Sequence, residues 1–194
     1  MRWVTRENVH LDRVASPWLI KRFVDPSATF CFVPWQHEHL APPDAISFSL
    51  PGAKLGPHDD QGTTYAKIVQ EYGISDPAAL RVGRVVDLCV AHVLHGFRPD
   101  PADEDGQVAV GMLALAEGLA LIERTDQALL DASFPSFDAL YARYRMLAEL
   151  ARRCLAMPGG QDGRGPSARF ELTRGLHDFL PPFPDAGQTP AREA

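Results

Sequence analysis

Hydrophobic and polar positions change their spacing partway along this chain. Up to about residue 62 the apolar runs are short, β-rich or alternating, and broken by proline and glycine. Trp3-Val4-Thr5 fits a short strand. Residues 28–33 (ATFCFV) form a second strand between Pro26 and Pro34, and the alternating residues 46–50 (ISFSL) form a third. Between the first two strands, Ser16 suits an N-cap and Pro17 the first helical position. Trp18, Leu19 and Ile20 follow, then Lys21 and Arg22 at the favoured end of the dipole, and Asp25-Pro26 stops the helix. So short a helix needs a packing partner.

Beyond Thr63 the apolar positions recur at helical spacing. Residues 64–72 predict a helix ended by Gly73. Ser75-Asp76-Pro77 opens another, with Leu80, Val82, Val85, Val86, Cys89, Val90 and Val93 on its apolar positions and Gly96 at its end. Residues 98–106 (RPDPADEDG) read as an acidic loop in which one acid caps the next helix. Residues 107–124 are apolar on every side, which predicts a helix in the centre of the domain. Residues 133–157 form a further helix ended by Pro158-Gly159-Gly160, and residues 167–180 a short last one. The Pro-rich tail from Pro181 reads as disordered. The element order is α+β: a small N-terminal sheet (strands near 3–5, 28–33 and 46–50) packed on a mainly helical body. Residues 1–180 form one domain, and 181–194 a disordered tail.

The 194 residues carry a formal net charge of -6, which argues against a general nucleic-acid binder. The three cysteines, Cys31, Cys89 and Cys154, are widely spaced and odd in number, as expected of reduced thiols in a cytoplasmic protein. No signal-peptide pattern opens the sequence. The apolar run from Val108 to Ile122 is interrupted by Gly111, Glu117 and Gly118 and reads as too short to span a bilayer. The expected partner is therefore a small anion or other small molecule, with neither nucleic acid nor membrane; an oligomer is compatible with the composition.

No phosphate loop, GxGxxG, CxxC or HExxH motif occurs, so candidate chemistry rests on His, Asp and Glu positions. His58 sits in a Gly/Pro-fixed loop, GPHDDQG, before a helix. It is either a metal ligand or part of a solvated turn. Thr63 and Thr64 open that helix, whose N–H groups favour an anion. Asp87, His92 and His95 share one helix, with His95 about 80° and His92 about 140° round from Asp87. They are either metal ligands or a polar stripe. His37 and His39 alternate in a loop that suits a chelate less well than a surface turn. In a central helix, Glu117 would be a buried acid paired with Arg13, Arg22 or Arg84, or else lie on an exposed stripe. The candidate metal set is His58, Asp87, His92 and His95, for a divalent zinc, iron or manganese ion. The candidate anion contacts are Arg13, Arg22, Thr63 and Thr64.

Residues 10–25 (HLDRVASPWLIKRFVD) resemble the opening signature of the chromate-resistance family built on the ChrB C-terminal domain. The likeness continues through residues 30–33, 45–52 and 55–58, then through Thr63-Thr64-Tyr65, residues 84–87 and the Gly111 to Leu119 helix. It implies a bacterial protein linked to chromate resistance, with a domain that occurs alone or behind a DNA-associated regulatory half. It also shifts Arg13 and Arg22 toward a site shared with His58 and Asp87, while the role of Asp12 stays open, orienting Arg13 being one option. Where relatives carry two histidines in the loop, this chain has Pro57-His58. Where they carry an acid after the Thr-Phe pair, it has Ala66, and where they carry His and Asp, it has Asp87-Leu88. His92 or His95 would then complete a metal set. The expected function is a metal-binding protein of oxyanion or oxidative stress with possible enzymatic chemistry. The alternative is a non-catalytic oxyanion-sensing or regulatory module.

Overall fold

The computed structural model describes residues 1–153 and 165–176. Strand β1 (Arg2–Arg6) leads into helix α1 (Asp12–Leu19), which runs on as a π-turn over Ile20–Val24. Strand β2 (Thr29–Val33), a 3₁₀ turn (Glu38–Leu40) and the two-residue strand β3 (Ile46–Ser47) follow. Five helices complete the described chain: α2 (Thr64–Glu71), α3 (Pro77–His95), α4 (Glu104–Ile122), α5 (Asp126–Arg152) and α6 (Gly165–Leu176). The sheet is parallel, in the order β2-β1-β3, with Trp3 opposite Phe30 and Ile46. The α+β expectation therefore holds.

The third strand is shorter than residues 46–50 because the chain turns at Ser49, whose φ is 51°. The last helix, expected over 167–180, spans Gly165–Leu176. The expected Pro158-Gly159-Gly160 stop and the tail from Pro181 lie outside the described residues.

Four local signals act as their chemistry dictates. Thr63 accepts a hydrogen bond from the Ala66 N–H at the start of α2. Asp76 does the same for Ala79 at the start of α3, and Gly96 ends α3 in the left-handed conformation at φ 65°. Asp103, in the acidic loop, caps α4.

The helix around Trp18 departs from its predicted start. It begins at Asp12, four residues before Ser16, and Pro17 lies inside it. Local cap logic favoured Ser16, but the Asp12 carboxylate is tied to the distant start of α2, and the Ser16 hydroxyl donates to Asp12 at 3.1 Å. The π-turn closes with the Asp25 N–H donating to the Ile20 carbonyl at 2.8 Å.

The core lies where α1 packs against α3 and α5. Trp18 is fully buried and meets Phe23, Phe137 and Tyr141 at ring-centroid distances of 5.8 to 6.0 Å. Tyr65 of α2 lies across α3 so closely that a Cβ at Gly83 would stand 2.8 Å from its ring. Its hydroxyl donates to the Ala79 carbonyl at 2.9 Å.

Helix α4 is not central. Only Asp105, Gly106, Ala109 and Leu113 are buried along its 19 residues. Leu121 is 84% exposed and Ile122 69%. All-round apolarity suggested burial, but α1, α3 and α5 already enclose the core, and α4 covers it with one edge. Glu117 is exposed, not a buried acid. By length and composition α4 is able to cross a bilayer, contrary to the sequence expectation.

Candidate functional site

Two polar clusters meet where α2 begins and α3 ends. The first is closed. Asp12, in the first turn of α1, accepts hydrogen bonds from the backbone N–H groups of Thr64 at 2.7 Å and Tyr65 at 2.9 Å. It is the protein's own anion at a helix N-terminus, where N–H groups and dipole favour negative charge. Burial nonetheless raises its carboxyl pKa, and the hydrogen bonds from Tyr65, Thr64 and Ser16 work in the opposite sense. Thr64 is fully buried and donates its hydroxyl to the Gly56 carbonyl at 2.9 Å. The α2 start, an expected site for an external anion, thus receives an internal carboxylate. Sequence reading left Asp12 ambiguous; the signal for its role was Ser16 four residues on, one helical turn away.

The second cluster is open. Lys67, 7% exposed on α2, donates to the Pro57 carbonyl at 2.7 Å and to Asp59 at 2.7 Å. It holds the Gly56–Asp59 loop against α2, and reciprocal backbone bonds between Asp59 and Gly62 close the turn. The Lys67 hydrogen bond lowers the Asp59 pKa. The loop carries His58 to His95 in the last turn of α3. Their Nε2 atoms stand 3.4 Å apart, with ring centroids at 5.6 Å. Both rings are exposed.

Asp87 links the two clusters. It accepts from the Thr63 hydroxyl at 2.8 Å, two turns before His95 on the same side of α3. Packed atoms around its carboxyl raise its pKa, the Thr63 bond lowers it, Asp12 raises it and His58 lowers it.

The remaining sequence candidates go elsewhere. His92 turns to the end of its own helix, with Nδ1 2.6 Å from the Phe97 carbonyl. Arg13 donates to the carbonyls of Arg6, Glu7 and Asn8 at 3.0 to 3.1 Å. That staples the turn before α1. Arg22 grips Asp138 of α5 with Nε at 2.9 Å and Nη2 at 2.6 Å, and the same carboxylate accepts from the Trp18 indole N–H at 2.7 Å. Asp138 was not singled out in the sequence, because its partners lie 116 and 120 residues away. His37 and His39 have ring centroids 5.7 Å apart in their turn.

An apolar cavity of about 40 Å³ lies between α1, α3, α4 and α5, lined by His10, Val14, Val86, Cys89, Met112 and Phe137 among others. Burial pushes the Cys89 thiol up to about 12. His10 has its pKa lowered by burial and by Arg13. The non-glycine Leu11 beside it holds a φ of 49°.

Metal chemistry has a geometric test here. Zinc–nitrogen bonds of about 2.0–2.1 Å in a tetrahedron place two nitrogens about 3.3–3.4 Å apart. The His58–His95 separation fits that edge. Among the described residues, no group of three or more His, Cys, Asp or Glu side chains converges as a metal centre. The pair therefore offers two protein ligands, and further positions would fall to water or a ligand.

The small parallel sheet, the helical body and the polar junction at α2 and α3 define a class of α+β domain. The model of the ChrB C-terminal domain matches residues 3–144, and the chain belongs to that family. This is the chromate-resistance family that the opening signature resembles. The chain is 31% identical over 144 residues to Protein ChrB of Cupriavidus metallidurans, an alignment that covers 74% of this chain and 40% of that protein. The match thus spans well under half of that relative's length. No solved structure matches the chain.

Proposed function

We propose that this member of the ChrB C-terminal domain family binds a divalent metal ion between His58 and His95 and acts in chromate or related oxyanion stress. The observation that carries the reading is the 3.4 Å Nε2–Nε2 separation on supports that are independently fixed. One histidine is set by the Lys67-bound loop, the other by the last turn of α3. Two imidazoles leave coordination positions for water and a small oxyanion. A bound cation there would act as a Lewis acid on that oxygen ligand. Asp87 adds negative charge close to His58.

The reading extends to a stress enzyme or a non-catalytic sensor, since both use the same metal-held anion. Arg13, Arg22 and Thr64 support an external anion less well, because each already serves a group within the fold. Isothermal titration of metal-stripped protein with zinc, iron(II) or manganese(II) tests the proposal. One ion per chain is expected, with binding lost in His58→Ala and His95→Ala and kept in His92→Ala. A protein that takes up no metal and shows no thermal shift on metal addition sinks it.

A further inference from the structure

The turn that opens α1 walls a cavity that the metal site leaves unused. Leu11 holds φ 49° and ψ -114°, a backbone conformation that a branched L side chain rarely adopts. Strain of that kind lasts where neighbours enforce it, and it gathers at ligand sites. Here it is enforced from two sides. Arg13 clasps three carbonyls of the turn. Asp126 of α5 accepts from the Asn8 N–H at 3.0 Å and the Val9 N–H at 2.7 Å. His10 and Leu11 are thereby fixed on the wall of the apolar cavity that Val86, Met112 and Phe137 also line.

Ser133 of α5 is the exception on that wall. It is 5% exposed, and among the described residues its hydroxyl has no hydrogen-bond partner. A helical serine commonly bonds the carbonyl one turn back; this one lines the cavity instead. The cavity's volume of about 40 Å³ is room for about three waters, at roughly 10–15 Å³ each. An ordered water needs about two to four polar partners. Ser133, Ser136 and His10 supply enough for one, and the others would meet hydrocarbon.

We propose that this cavity binds the end of a small uncharged organic molecule, an aliphatic group of about three or four non-hydrogen atoms carrying one hydroxyl or carbonyl that bonds Ser133. The aliphatic part leaves water for Val86, Met112 and Phe137, and the polar atom satisfies the buried hydroxyl. A charged end fits badly, because it would shed its water against walls that hold no opposite charge. Burial and Arg13 hold the His10 pKa below its ordinary value, so His10 brings no cation to the wall at neutral pH. His10 and Leu129 also line a wider groove of about 560 Å³ with Asn8, Arg124 and Gln127, which leaves room for the rest of a longer molecule.

NMR of the full chain with isotope-labelled methionine methyl groups, titrated with isopropanol, tests this. The Met112 methyl signal is expected to shift and to saturate in the millimolar range. Met146, in a separate cluster with Leu150 and Leu176, is expected to stay in place. Acetate, of equal size but charged, is expected to leave Met112 unmoved. Ser133→Ala is expected to weaken isopropanol binding about three- to tenfold. Ala116→Leu, which fills the cavity from its α4 wall, is expected to abolish the saturable shift. Both variants are expected to keep the wild-type circular dichroism. Three results overturn the proposal: a Met112 shift that grows without saturating, acetate binding as tightly as isopropanol, or an unchanged isopropanol affinity in folded Ser133→Ala.

Discussion

The closed cluster around Asp12 joins α1 to the start of α2, the open pair of His58 and His95 joins the loop before α2 to the end of α3, and the two differ in one respect. At the closed cluster, buried donors have a partner within the chain: the Thr64 and Tyr65 N–H groups have Asp12, and the Thr64 hydroxyl has the Gly56 carbonyl. At the open pair, two exposed imidazoles face each other across 3.4 Å. Polar groups satisfied inside the fold hold it together, whereas converging groups at its surface are available to a ligand. By that criterion Arg13 and Arg22 belong with Asp12. Residue type alone made them anion contacts; their partners make them fasteners of α1.

The comparison breaks most visibly at Asp12. Asp12→Ala leaves two buried N–H groups without an acceptor, and a loss of about 2–4 kcal/mol in urea unfolding is expected, with little change in metal affinity per folded chain. A near-neutral Asp12→Ala would show that the α2 start does not depend on its internal anion. On the open side the order reverses. His58→Ala and His95→Ala are each expected to weaken metal binding by about tenfold or more, while unfolding free energy without metal moves by less than about 0.5 kcal/mol. Equal metal affinity in wild type and His58→Ala would place any bound ion elsewhere.

A smaller effect separates His92 from its neighbour. Its bond to the Phe97 carbonyl fastens the end of α3, so His92→Ala is expected to cost about 0.5–1 kcal/mol of stability and leave titrated metal affinity unchanged. The smallest effect concerns Asp87, between the clusters. Its raised pKa means that the folded chain keeps this proton to higher pH than the unfolded chain. Stability from this group therefore falls as pH rises from the ordinary carboxylate range through the raised value. Asp87→Asn keeps an acceptor for Thr63 and removes that charge. Its stability relative to wild type is expected to improve as pH rises above about 4, the ordinary carboxylate value, read from paired urea midpoints. A constant difference across that range would mean that Asp87 ionises as it does in the unfolded chain.

The Thr63 and Asp76 caps and the Gly96 stop were legible because each acts within four residues of itself. The helical angle between Asp87 and His95 was legible for the same reason: it is a property of one helix. The His58 loop was recognisable from its glycine and proline frame, but the Lys67 side chain that holds it was not singled out. Among the four metal candidates, chain position could not separate His92 from His95. One turns to a helix-end carbonyl and the other toward a loop 37 residues earlier.

By itself the sequence determined the order and type of the main elements, since periodicity and caps are local, and it carried the signature of the ChrB family. Tertiary structure decided which polar groups face one another. It drew the start of α1 back to Asp12, because a carboxylate there completes α2 52 residues away. It gave Arg22 to Asp138 and turned the apolar face of α4 outward, because the space inside was already filled. Long-range pairing and the finite volume of the core are properties of the folded chain, and neither has a period that a linear sequence displays.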